Sequence, residues 1–109
     1  MTSPVRCAAI ASVLATAAVA ACTRPTPRAH IVTIRNFAFD PAELTVARGD
    51  TVVWSNTDFV PHTSTARNSV WDSKSIDANA AWRYVPGTAG RYEYYCVFHP
   101  TMKATIVVR

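Results

Sequence analysis

Glycine is scarce in this chain, with three among 109 residues, and none of them falls in a run. A phosphate-cradling loop or dinucleotide fingerprint is therefore excluded. No segment of useful length places apolar residues at i, i+3, i+4 and i+7, so helices are not the building material. Runs of one charge sign are also missing. The formal net charge is +4, but the acids interleave with the bases, which leaves no nucleic-acid footprint. Histidine occurs three times and methionine twice, once as Met1. That inventory counts against a methionine-rich metal store and excludes any pair of separate histidine-built metal centres.

Cysteine is the most telling scarcity. The three are Cys7, Cys22 and Cys96. Met1 to Arg6 is a short basic leader, and Cys7 to Ala21 is an uncharged Ala/Val-rich run ending Val19-Ala20-Ala21-Cys22. The run is too short for a membrane span and ends in small residues, so residues 1–21 are expected to be an export signal. The ending resembles a bacterial lipobox, which implies lipidation of Cys22 and a membrane anchor on the periplasmic side; ordinary cleavage after an Ala-x-Ala-like site, with Cys22 incidental, is the alternative. Cys96 is then left without a disulfide partner in an exported protein, and metal ligation is the reason such a thiol exists.

Residues 22–29 contain Pro25 and Pro27 among Thr and Arg, and read as a semi-rigid tether. Residues 30–109 are expected to form one domain, near the small end of what a core can stabilise alone. Strands are expected over His30–Asn36, Glu43–Ala47, Thr51–Asn56, His62–Ala66, Ala81–Val85, from Tyr92 to Cys96, and over Lys103–Val108. Val52 and Trp54 share one face, as do Tyr92, Tyr94 and Cys96, by the period of two. Residues 68–79 are the least regular and are expected to hold a loop with a short helical turn. Seven or so short strands at this spacing argue for an all-β sandwich.

The chemistry concentrates in Tyr92-Glu93-Tyr94-Tyr95-Cys96-Val97-Phe98-His99-Pro100-Thr101-Met102, a C-x2-H-x2-M spacing, with His62 upstream in Val60-Pro61-His62-Thr63. One thiolate, two imidazoles and one thioether make the trigonal set with a weak axial donor that suits copper in both oxidation states. Structural zinc takes a second thiolate or another nitrogen or oxygen in place of the thioether. His30 starts a strand with no ligand near it in sequence and reads as structural or solvated.

Phe39-Asp40-Pro41, Val46-x-Arg48-Gly49-Asp50-Thr51-Val52-Val53-Trp54-Ser55-Asn56, Pro61-His62 and Gly90-x-Tyr92-x-Tyr94-Tyr95-Cys96-x-x-His99-Pro100-x-Met102 together resemble a cupredoxin. The short ligand loop resembles the amicyanin branch most. The resemblance implies a Greek-key β-sandwich of seven to eight strands holding one type 1 copper ion. His62, Cys96 and His99 would be its in-plane ligands and Met102 its axial one. Two positions depart from the pattern. Thr63 stands where many relatives have Asn, so the clamp between the ligand loops is expected to be a hydroxyl. Ala104 stands where Gly is common and is expected to crowd the turn after Met102.

The implied function is a one-electron carrier, not an enzyme, meeting a cytochrome, dehydrogenase or reductase at a patch near His99. A copper carrier or storage protein is the alternative. A Cys–His protease is excluded, because Cys96 and His99 on one tight loop cannot align as nucleophile and base beside a substrate groove.

Overall fold

A computed structural model describes residues 26–109. The expected export signal, Cys22 and the first half of the tether lie outside the described residues. Eight strands follow one another: β1 (Ala29–Arg35), β2 (Ala38–Asp40), β3 (Glu43–Val46), β4 (Thr51–Asn56), β5 (Thr65–Ala66), β6 (Ala81–Tyr84), β7 (Gly90–Tyr95) and β8 (Lys103–Val108). They form two four-stranded sheets, in the orders β2-β1-β4-β6 and β3-β8-β7-β5. The pairs β1–β4 and β3–β8 are parallel, and the other neighbours are antiparallel. This is the all-β sandwich that the alternation implied.

The inward faces follow the period of two. Val32 and Ile34 of β1, Val52 and Trp54 of β4, Tyr94 of β7, and Ala104, Ile106 and Val108 of β8 are all buried in one cluster. Trp54 lies between the sheets, with ring centroids 5.5 Å from Tyr94 and 5.6 Å from Trp82. Such contacts suit aromatic rings that meet edge to face or tilted.

Several expectations are corrected. Strand β2 was not anticipated. It forms a hairpin with β1 through Asn36 and Phe37, both at positive φ (53° and 56°), the geometry of a two-residue hairpin turn. The segment expected as a strand over His62–Ala66 is a strand only at Thr65–Ala66, because His62 instead makes a single bridge to Ile76. The irregular stretch from Asn68 to Asn79 holds no helical turn. It is tied down by that bridge and by a second one between Thr65 and Asp72. Ala104 does not crowd a turn; it sits within β8 opposite Tyr94, buried in the core.

His30 turns out to be structural. Its Nε2 donates to Asp50 Oδ2 at 2.9 Å, and the same carboxylate accepts from Arg28 N (2.9 Å) and Ala47 N (3.0 Å). Burial works to raise the pKa of Asp50, but these donors outweigh it and hold the carboxyl below its usual range.

Candidate metal centre

The site is built at one end of the sandwich, where β7 runs into the loop to β8. Cys96 follows the last residue of β7, is fully buried, and has its direction set by the sheet. The loop closes on itself, with Met102 N donating to His99 O (2.9 Å) and Cys96 N donating to Met102 O (3.2 Å). That tight return holds three candidate donors within seven residues.

His62 comes from the other side. Its backbone exchanges both hydrogen bonds with Ile76, at 3.1 and 2.7 Å. Buried Asn56 fixes the approach: its side-chain amide donates to Val60 O and Ile76 O, and its side-chain oxygen accepts from Asp58 N, each at 2.9 Å. The polar core residue thus organises the 57–62 loop that delivers His62.

Three donor atoms converge. Cys96 Sγ lies 3.7 Å from His62 Nδ1 and 3.8 Å from His99 Nδ1, and the two Nδ1 atoms are 3.2 Å apart. A point equidistant from all three is roughly 2 Å from each, an ordinary metal–nitrogen or metal–sulfur distance. The tautomer of His62 follows from its other nitrogen. Nε2 is 2.8 Å from Asp58 Oδ2 and donates to that carboxylate, which leaves Nδ1 with a bare lone pair. A buried lone pair aimed at a thiol and a second imidazole is poorly satisfied by hydrogen bonds and well satisfied by a cation. The donor set therefore fits a soft transition-metal ion. Met102, the fourth sequence candidate, is buried and tied to both Cys96 and His99 through its backbone.

Residues that the sequence reading missed complete the surroundings. Asp58 accepts from Asn36 N (2.7 Å) and Phe37 N (2.9 Å) as well as from His62. Burial works to raise its pKa, yet these three donors outweigh it and hold the carboxyl below its ordinary range. Its position four residues before His62 was the available signal. Phe37 packs its ring edge-on against both His62 (5.2 Å) and His99 (4.8 Å). Thr63 does act as the hydroxyl clamp, with Oγ1 accepting from Val97 N at 2.9 Å. Its own amide donates to Cys96 Sγ at 3.3 Å.

The cupredoxin-like domain family matches residues 6–108, nearly the whole chain. The chain belongs to that family. Amicyanin-alpha from Methylorubrum extorquens is 30% identical over 111 residues, covering 93% of each chain. Amicyanin from Paracoccus versutus is 26% identical over 85 residues, which are 73% of this chain and 64%, just under two thirds, of that relative. A solved structure of the Cu(I) form of an amicyanin point mutant is similar at a TM-score of 0.71 and 30% identity, over 74% of this chain and 82% of that one. In this cupredoxin His99 is half-buried, whereas His62 is fully buried. Phe37, Val97 and Phe98 are each about half exposed. Phe37 touches His99, and the other two share its loop, so apolar surface surrounds His99.

Proposed function

We propose that the protein is a type 1 copper one-electron carrier, with His62 Nδ1, Cys96 Sγ and His99 Nδ1 as in-plane ligands and Met102 as the weak axial one. The observation that carries this reading is the triangle of three donor atoms, with the thioether of Met102 three residues after His99. Copper bound there would supply a one-electron Cu(I)/Cu(II) couple without proton transfer. The chain's own residues supply rigidity. Asn56 and Ile76 fix His62, Thr63 fixes the Cys96 sulfur, and the loop bonds fix His99. A site that moves little between oxidation states is what a carrier requires.

The apolar surface around His99 supports docking of a redox partner such as a cytochrome, dehydrogenase or reductase, through a small transient interface. The Cys22 motif supports export and lipid anchoring on the periplasmic side of the membrane. Delivery or storage of copper is the weaker reading, since Cys96 and His62 are fully buried and would release an ion slowly.

Loading with Cu(II) and recording the visible spectrum tests the proposal. An intense blue band from the Cys96 thiolate–Cu(II) bond is expected, and Cys96→Ser should abolish it. A colourless loaded protein, or an unchanged band in Cys96→Ser, would sink the assignment.

A further inference from the structure

Two separate connections lead from Cys96 to one indole. In the first, Thr63 N donates to Cys96 Sγ at 3.3 Å, and the next residue's hydroxyl, Ser64 Oγ, accepts from Trp71 Nε1 at 3.0 Å. Both hydrogen bonds are buried, and only a short covalent stretch of the Thr63–Ser64 backbone and the Ser64 side chain separates them. In the second, Tyr94, two residues before Cys96, has its ring centroid 5.8 Å from that of Trp71. Beyond Trp71 the rings continue outward to Tyr84 (5.1 Å) and Tyr92 (5.7 Å). Trp71, Tyr84 and Tyr92, with Pro86, line a surface cleft of about 100 Å³.

This cleft lies toward the opposite end of β7 from His99. It adjoins the residues that enter β7 at Gly90, whereas His99 lies beyond the other end of that strand. Six residues of extended chain separate Gly90 from Cys96, roughly 20 Å.

We propose that Trp71 is an electron relay, giving the metal centre a second outlet at the Trp71–Tyr84–Tyr92 cleft. The inference rests on the copper reading above. One electron passes from the reduced Cys96–metal unit, through the Thr63–Ser64 bridge and the Trp71 indole, to a one-electron oxidant at the cleft. A haem iron going from Fe(III) to Fe(II) is such an oxidant. No bond forms or breaks, and the centre is left oxidised by one electron.

The two connections are not equivalent. Tyr94 reaches Trp71 only by a ring contact, with centroids 5.8 Å apart. The Trp71 N–H has an acceptor in Ser64, so the hydrogen-bonded route carries the larger share. A tryptophan serving only as core filler would be indifferent to that bond.

A ruthenium polypyridyl complex attached to Thr88→His, an exposed position at the cleft, reads the relay directly. Flash oxidation of the label in reduced, copper-loaded protein should give a transient indole radical, followed by growth of the blue Cu(II) band. Trp71→Phe, which keeps a ring but loses the N–H, should remove the radical and slow copper oxidation by roughly tenfold or more. Ser64→Ala leaves every ring in place and should also slow it, while the static blue spectrum stays unchanged. With the label moved to Arg35→His, near Phe37, neither variant should alter the rate. In the metal-free labelled protein the indole radical should persist instead of being refilled. A blue protein whose rates at Thr88→His are unchanged in both variants overturns the relay alone. A wild-type protein with no blue band overturns the metal reading and the relay with it.

Discussion

Asp58 Oδ2 sits 2.8 Å from Nε2 of fully buried His62, and the same carboxylate receives the two turn amides of Asn36 and Phe37. One side chain thus sets the tautomer of His62 and anchors the turn whose Phe37 ring packs against it. Outer carboxylates of this kind orient a ligating imidazole and raise its basicity. Asp58→Ala should lower copper affinity about 10–100-fold, as losses of such partners do. The unpaired His62 N–H should also cost about 1–3 kcal/mol of stability in the metal-free protein. Competition titration against a chelator, with urea unfolding of the metal-free form, measures both. Unchanged affinity in Asp58→Ala would show that Asp58 does not orient His62.

The second prediction concerns the axial position. Met102 is buried and held by its backbone between His99 and Cys96. Met102→Leu is close to volume-conserving, so the fold should lose less than about 1.5 kcal/mol. Copper and colour should remain, while the reduction potential rises, because the thioether is a donor that favours Cu(II) over Cu(I). Voltammetry of the two proteins decides it, and an unmoved potential would remove Met102 from the ligand set.

Legibility in the sequence was uneven, for physical reasons. Cys96, His99 and Met102 could be read because a tight loop makes spacing equal to proximity. Trp54, Tyr94 and Cys96 could be read because strands impose a period of two. Asp58 offered only its place four residues before His62, since a loop carboxylate shows no periodicity and its other targets are 21 and 22 residues away in sequence. The Asn36–Phe37 turn was hidden because Phe is not a turn former, and its left-handed conformation is set by tertiary contacts. The two bridges that order residues 68–79 are single pairs to distant segments, which leave no local pattern.

A third prediction follows from Asp50. Its carboxyl pKa lies below the ordinary 3.8 because backbone and His30 donors outweigh burial. The carboxylate's contribution to stability is therefore fully present above pH 3.8 and is lost as the pH falls through the lower folded value. Asp50→Asn should destabilise the metal-free protein by about 1–3 kcal/mol at neutral pH. It should also flatten the decline in stability below about pH 4. Urea midpoints taken across that range would show an equally steep acid limb if Asp50 were not responsible.

Membrane attachment is a fourth expectation. If Cys22 carries lipid, wild-type protein will sediment with membranes and Cys22→Ser will appear in the soluble extract. Stable anchoring takes more than one acyl chain, so mass spectrometry of the mature N-terminus should show several. A soluble wild-type protein with an unmodified terminus would end the anchor proposal.

Phe37 holds a conformation that non-glycine residues avoid, at φ 56°, and such strain costs on the order of 1–3 kcal/mol. What it gains is position: its ring lies edge-on to both imidazoles, 5.2 Å from His62 and 4.8 Å from His99. Phe37→Gly removes the strain and the ring together. Global stability should therefore change by less than about 1 kcal/mol, since the relieved backbone offsets the lost contacts. The local effect should be large, because the ring packs against both imidazoles of the donor triangle. In the metal-free protein the Cys96 thiol should react faster with a disulfide reagent in Phe37→Gly than in wild type, by roughly tenfold. Phe37→Leu keeps apolar bulk at the same strained position and should give an intermediate rate with lower stability than Phe37→Gly. Equal thiol reactivity in all three proteins would mean that the ring is packed against the ligands without shielding them.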